Sequence, residues 1–475
     1  MKNIDMEINN FGKIENAKFQ IKPFTLIAGK NASGKSFLTR SLYSIFSSLN
    51  KDHLSIDIDS VVFSMQSYIR SLLFSSNSPS FKVEQQVLNI NLLFKILVDG
   101  IDLIYHQGTL VSQMVQKDEL QKDIKNLQFA LNELSADIEN VKKYKGLNSY
   151  IKKSTALLLQ LKKLVDKPNE SLINGLAEQL EKSLLNNFLV GSLTKLKNRK
   201  ASSENINFNF GDAIGNIEIK SNSINFSLKT GGIDEFQQID NVVYLESPVY
   251  WKIKDVIKGW ANSRLNPLLR RRMKHQQQEL KKVPDYILDT FMLLDSEIVT
   301  KDINEDLQKL KKQIIKCIGG QIQLSDSGDI QFIEQNEQSN ERYVNDLHQT
   351  ATGAVSLGII ALLIDKHIIV PNSILIFDEP EVNLHPAWQK IMTDVLYHLS
   401  VAGVRIVMAS HSFDMMENIE KLMDIHQSKD LDVNEHFSII QLENGKTINN
   451  NSPLFKKLDA IKANLGMPLF DIFSS

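Results

Sequence analysis

The chain has 475 residues, a formal net charge of -2, 42% hydrophobic residues and 23% charged ones. That balance belongs to an ordinary globular protein with at least one large core and room for two or three domains, and it demands neither a polyanionic nor a membrane partner. The single cysteine, Cys317, excludes an internal disulfide and a thiolate metal cluster within one chain.

The start, MKNIDMEINNFGKIENAKF, lacks the apolar core of a signal peptide. The longest apolar run, Ala354 to Ile364, is too short to cross a bilayer, so a cytoplasmic protein is expected. Residues 5 to 28 alternate short apolar runs with turn residues and end in FTLIA, from Phe24 to Ala28, which predicts a buried strand. The run GKNASGKS follows, from Gly29 to Ser36. After it, Phe37, Leu38, Leu42, Ile45 and Phe46 share one helical face, so strand, glycine loop and helix stand in the order of a P-loop.

From about residue 60 to 200 the pattern is helical, with few glycines and prolines. Leu120, Ile124, Leu127, Leu131, Leu134, Ile138 and Val141 make a heptad seam, about 33 Å long as a helix. It reads either as one arm of a hairpin packed on a returning helix, Ile151 to Val165, or as a contact for a dimer or partner. Ile206, Phe208 and Phe210, then Ile217 and Ile219, then Ile224, Phe226 and Leu228 predict antiparallel strands of a second sheet element. Asn241 to Leu245 reads as a further strand, Val249 to Ile315 as helices, and Gln321 to Phe332 as a hairpin turning at Ser327-Gly328.

Two apolar strands close the pattern. SILIF, from Ser373, ends in Asp378 and Glu379, and VRIVMA, from Val404, ends in Ser410 and His411. Pro386 opens a helix between them, and a strand, helix, strand crossover implies a parallel sheet.

The chemistry follows from these positions. In Gly29, Lys30, Asn31, Ala32, Ser33, Gly34, Lys35 and Ser36, with Phe37 next, backbone amides turn inward on phosphate oxygens. Lys35 reaches the β- and γ-phosphates and Ser36 offers its hydroxyl to Mg²⁺, so ATP and Mg²⁺ are the expected cofactors. Asp378, ending a buried strand, suits the magnesium; Glu379 suits an attacking water; His411 suits the γ-phosphate.

ILIFDEPEVNLHP, from Ile374, together with MASHS, ending at Ser412, resembles the ABC-type ATPase heads of the OLD, RecF and Rad50 group, of the AAA_15 and AAA_21 kind. The resemblance implies an α/β fold: a P-loop head of mixed sheet with an antiparallel subdomain and a large helical insertion. It implies Asp378 as the Walker B aspartate, Glu379 as the catalytic glutamate, Glu381 to His385 as a D-loop region and His411 as the switch histidine. It also implies a signature loop, for which TATGAVS, from Thr350 to Ser356, stands in place, with Thr352-Gly353 where the group usually shows Ser-Gly. Since such a loop serves the other subunit's nucleotide, an ATP-sandwiching homo-oligomer, at least a dimer, is implied. The Q-loop is left unassigned, because Gln237 and Gln238 precede the strand at Val242 and Glu246, Ser247 and Pro248 follow it. The layout is then 1–55 and 316–475 as the two parts of the head, 56–200 as the helical insertion with a short coiled-coil arm, 201–248 as antiparallel strands, and 249–315 as a helical segment.

That segment carries Arg264, Arg270, Arg271, Arg272, Lys274, His275, Lys281 and Lys282, either a solvated face or a phosphate-binding one. No acidic metal cluster of a nuclease follows the head. A head with a helical insertion and no effector domain resembles the ATPase subunits of anti-phage systems such as PARIS and Septu, which implies a sensor or regulatory subunit controlling a separately encoded effector, a nuclease by expectation. The alternative is a RecF- or Rad50-like repair ATPase that binds DNA.

Overall fold

The structure, a computed structural model, describes residues 2–74, 80–106, 117–138, 141, 144–201, 203–263, 283–296, 304–325, 328–335, 342–448 and 452–473. The chain divides into two compact units, one of Met1–Asn50 with Gln179–Ser475, the other of Lys51–Glu178. The basic cluster from Arg264 to Lys282 lies outside the described residues.

The first unit begins with a hairpin of β1 (Ile4–Phe11) and β2 (Ile14–Ile21), paired antiparallel with Ile4 opposite Ile21. β3 (Phe24–Ala28) is buried at every position, as its near-continuous apolar run predicts, Thr25 included. It delivers the chain to Gly29 and then to α1 (Lys35–Leu49), most of which is buried. Serines and a threonine on that helix are tolerated because their hydroxyls bond back to carbonyls one turn earlier, as Ser48 does to Ser44 at 2.7 Å.

The second unit is helical. α2 (His53–Phe74), α3 (Phe81–Ile101), α4 (Lys117–Ile138) and α5 (Lys145–Asp166) pack α2 on α5, α5 on α4, α4 on α3 and α3 on α2. Ser80 caps α3 by accepting from the Val83 amide. The heptad seam runs along α4, where Leu120, Ile124, Leu127, Leu131, Leu134 and Ile138 are all at most 1% exposed. Helices of the same chain therefore fill it, so it is not left open for a dimer or a partner. Val141 corrects the seam's expected length: it lies past the end of α4 and is exposed.

The first unit then resumes with β4 (Asn205–Asn209), β5 (Gly215–Lys220), β6 (Ser223–Leu228) and β7 (Val242–Leu245). α6 (Asp285–Asp295) and α7 (Glu305–Ile318) follow, the latter capped by Asn304 and stopped by Gly319 in the left-handed region. β8 (Gly320–Leu324), β9 (Ile330–Gln335) and β10 (Arg342–Asp346) form a three-stranded antiparallel sheet, one strand more than the expected hairpin. The remaining elements are α8 (Thr352–Asp365), β11 (Ile374–Asp378), α9 (Pro386–Val401), β12 (Arg405–Ser410), α10 (Phe413–Ser428), β13 (Phe437–Glu443), β14 (Lys446–Thr447) and α11 (Leu454–Phe473).

Among the described residues the main sheet has eleven strands in the order β6-β5-β4-β1-β2-β14-β13-β3-β12-β11-β7. From β13 to β7 the strands are parallel, and from β6 to β2 they are antiparallel. The two-residue β14 joins the halves, pairing parallel with β2 and antiparallel with β13. The strands at 206–228 are thus part of the main sheet rather than a second one. α1 lies across β7, β11 and β12, which places the glycine loop at the carboxyl ends of the parallel strands. No described helix is long and apolar enough to cross a membrane.

Candidate nucleotide site

The loop's shape is set by two residues in the left-handed region. Gly34 has φ 109° and caps α1, where a side chain would be strained, and Ala32 adopts φ 64° without glycine's freedom. The turn is closed by the Ser33 amide donating to the Lys30 carbonyl at 3.2 Å. The start of α1 then presents a partial positive charge to whatever sits in the loop.

Register brings the remaining groups level with it. In the parallel ladder Ala28 of β3 is opposite Ser410 of β12, and Ala409 is opposite Asp378 of β11. Asp378, Glu379 and His411 therefore stand side by side at adjacent strand ends, and Lys35, the first residue of α1, reaches them from the glycine loop. The Lys35 ammonium, 4% exposed, donates to the carbonyls of Gly29 at 2.9 Å and Lys30 at 3.2 Å and lies 3.8 Å from Glu379 Oε1. Burial lowers its pKa, and the carboxylates of Glu379, Glu381 and Asp378 work in the opposite direction.

Asp378 is 2% exposed. Its Oδ2 accepts from the Tyr244 hydroxyl at 2.9 Å, while Oδ1 has no hydrogen-bond partner among the described residues. Burial raises its carboxyl above the usual range, opposed by the hydroxyls of Ser36 and Tyr244. A buried carboxylate oxygen without a donor, beside a serine hydroxyl, has the oxygen chemistry a hard divalent cation takes. These residues fit Mg²⁺.

Glu379 continues the ladder for one residue, its amide donating to the Ala409 carbonyl at 2.9 Å, at a strained φ of 55°. Its carboxylate is 34% exposed. His411 Nδ1 lies 3.5 Å from Glu379 Oε1 and 3.1 Å from Glu381 Oε1. Glu381, 7% exposed, also accepts from the Ser410 hydroxyl and the His411 amide, each at 2.8 Å. Burial alone would raise the Glu381 carboxyl, but the bonds from His411 and Ser410 outweigh it and hold it below the ordinary range. The same contact raises His411, burial opposing.

The other expected positions are placed as follows. The Phe37 ring joins a cluster with Phe11 and Phe188, at centroid distances of 6.3 and 5.3 Å, so its side chain supports the β1–β2 hairpin. Thr352 and Gly353 open α8, where a Cβ on Gly353 would sit 3.1 Å from the Trp388 ring. They share no hydrogen bond with Gly29 to Ser36 among the described residues. A cavity of about 520 Å³ beside the loop is lined by Ala32, Ser33 and Phe37 and by Lys13, Lys195, Lys197, Arg199 and Lys200. None of those five cations has an ion-pair partner among the described residues.

Sequence reasoning missed the groups behind the loop. Glu246, at the carboxyl end of β7, accepts from Arg40 and from the Tyr286 hydroxyl, each at 2.8 Å. It stands where the unassigned glutamine was sought, whereas Gln237 ends a short helix ahead of β7. Tyr244 was hidden in an apolar strand. Glu381 could have been suspected from its place between Asp378 and His411 in the motif, but not its contact.

A glycine loop between a buried strand and a helix, with acidic and histidine side chains at neighbouring parallel strand ends, defines a P-loop head of mixed α/β, ABC-type fold. The chain belongs to the AAA ATPase domain family, whose model matches residues 1–416. No curated protein matches it. Among solved structures it is similar to an Smc head domain with an extended coiled coil from Pyrococcus furiosus, bound to the C-terminal domain of ScpA, at 12% identity over 98% of this chain and 99% of that one, with a TM-score of 0.37. It is similar to the SMC head domain from Thermotoga maritima at 10% identity, over 96% and 100% of the two chains, with a TM-score of 0.35. An ATP-binding cassette of an ABC transporter in its ADP conformation matches at 12% identity over 54% of this chain and 76% of that one, with a TM-score of 0.24.

Proposed function

We propose that this chain binds ATP with Mg²⁺ in the loop from Gly29 to Ser36 and hydrolyses it. The observation that carries the reading is the convergence of Lys35, at the start of α1, with Asp378, Glu379 and His411 at the ends of β11 and β12. The backbone of Lys30 to Phe37 and the Lys35 ammonium bind the phosphates. Ser36 and Asp378 would hold Mg²⁺, which would supply neutralisation of phosphate charge. Glu379 orients the attacking water and takes its proton on the carboxylate. His411, kept protonated to higher pH by Glu381, donates toward the γ-phosphate. Thr352 and Gly353 complete the site of a second copy, so two chains sandwich two nucleotides. Glu379→Gln tests this: it should hold an ATP-bound oligomer that elutes earlier in size-exclusion chromatography with ATP than without. An unchanged elution volume argues against the sandwich.

The output we assign to this cycle is regulatory. A cytoplasmic ATPase whose described residues form a head and a helical unit fits a sensor subunit of an anti-phage defence system, holding a separately encoded effector, a nuclease by this reading. Co-purification with the product of an adjacent gene, dependent on ATP, is the test. The five cations around the cavity, Lys13, Lys195, Lys197, Arg199 and Lys200, which have no ion-pair partner among the described residues, favour a second reading, a DNA-binding repair ATPase. Tight binding of duplex DNA by the chain alone, falling steeply with salt, would select it.

A further inference from the structure

The proposed Mg²⁺ site has an internal support that no motif names. Tyr244, on β7, is fully buried between β11 and α1, and its hydroxyl touches two polar groups. It donates to Asp378 Oδ2 at 2.9 Å and meets Thr39 Oγ1, one turn after Lys35, at 3.2 Å. The ring is itself held: Tyr286 lies against it at a centroid distance of 4.5 Å and Tyr43 edge-on at 5.9 Å. Tyr286 is fixed in turn by its bond to Glu246, which Arg40 of α1 also grips.

We propose that Tyr244 is the positioning residue of the nucleotide site: its hydroxyl ties down Oδ2 of Asp378, so that Oδ1 alone is left to a divalent cation bound with the nucleotide. The inference rests on the reading of Asp378 as a magnesium residue. Three observations carry it. One oxygen of a carboxylate that is almost fully buried is satisfied by protein and the other is not. The group that satisfies it belongs to a neighbouring strand in fixed parallel register, Ile376 opposite Tyr244. That group also reaches the loop's own helix, so strand and helix cannot shift apart without breaking the bond. A free carboxylate would rotate about its last bond; this one is held in one orientation. Outer partners that orient a metal-binding carboxylate commonly change metal affinity by about 10- to 100-fold.

The experiment compares the wild-type chain with Tyr244→Phe in binding of a fluorescent ATP analogue, titrated with Mg²⁺ and repeated with excess chelator. The phenylalanine keeps the ring and its packing and removes only the donor. The Mg²⁺ concentration at half-effect should rise about tenfold in the variant, with affinity in chelator unchanged and the thermal midpoint nearly so. An unchanged Mg²⁺ midpoint overturns the positioning role, and so does an equal loss of affinity with and without Mg²⁺, which marks a merely structural residue. A wild-type chain whose nucleotide binding ignores Mg²⁺ overturns the reading of Asp378 itself, a different result from failure of the variant alone.

Discussion

Glu381→Gln separates a clamp from a surface loop residue. The carboxylate accepts two hydrogen bonds at 2.8 Å, from the Ser410 hydroxyl and the His411 amide, and faces His411 Nδ1 at 3.1 Å. Bonds to a charged acceptor are worth about 1.5 to 3 kcal/mol and neutral ones about 1, so an amide in its place forfeits roughly 1 kcal/mol per bond. The amide nitrogen would also take the place of Oε2, which is buried and has no partner among the described residues, adding about 1 to 3 kcal/mol. The ion pair itself adds little, because His411 is 37% exposed. The total is about 3 to 5 kcal/mol near neutral pH. Trp251, Trp260 and Trp388 are the only tryptophans and all lie in the first unit, so fluorescence-detected denaturation reads the correct part of the chain.

The sign of the pH dependence is fixed by the two shifts. Glu381 is depressed from its ordinary 4.5, so its contribution is present above that value and is lost as pH falls through the lower folded value. His411 is raised from its ordinary 6.5, so its contribution is present below that value and is lost as pH rises through the higher folded one. The wild-type advantage should therefore be largest between about pH 4.5 and 6.5. It should narrow on either side, more completely on the acid side, where the bonds to a charged acceptor go as well. Equal denaturation midpoints for wild type and variant at pH 6 would refute the clamp.

Leu127→Glu with Leu134→Glu places two charges in positions that are fully buried against α3 and α5, a cost of several kcal/mol per site. Proteolysis should then cut within α4, Lys117–Ile138, where the wild type resists, and a variant as resistant as the wild type would show the seam to be open. The elution shift of Glu379→Gln with ATP and the Mg²⁺ shift of Tyr244→Phe test the assembly and the metal carboxylate separately.

What the sequence exposed, and what it concealed, follows from where each signal lies along the chain. β3, β11 and β12 were legible because a strand buried on both faces is a near-continuous apolar run, and the glycine loop was legible because its function requires consecutive residues. β10 and β14 were not, since one is polar and the other is two residues long and exists only by bridging β2 and β13. The heptad seam announced a helix interface but could not say whose, and the packing of α3 and α5 on α4 supplies that. Arg40 and Glu246 are 206 residues apart in sequence, and Tyr244 and Asp378 are 134 apart. Both contacts depend on strand order, which local periodicity does not encode.

The loop from Gly29 to Ser36 as the seat of ATP binding is tested most directly by Lys35→Ala, measured by equilibrium binding of ATP with Mg²⁺ and by phosphate release on the same preparation. Removal of the buried ammonium should abolish hydrolysis and weaken or abolish binding while the chain keeps its wild-type far-ultraviolet spectrum. Binding and turnover equal to the wild type would contradict the account at its centre.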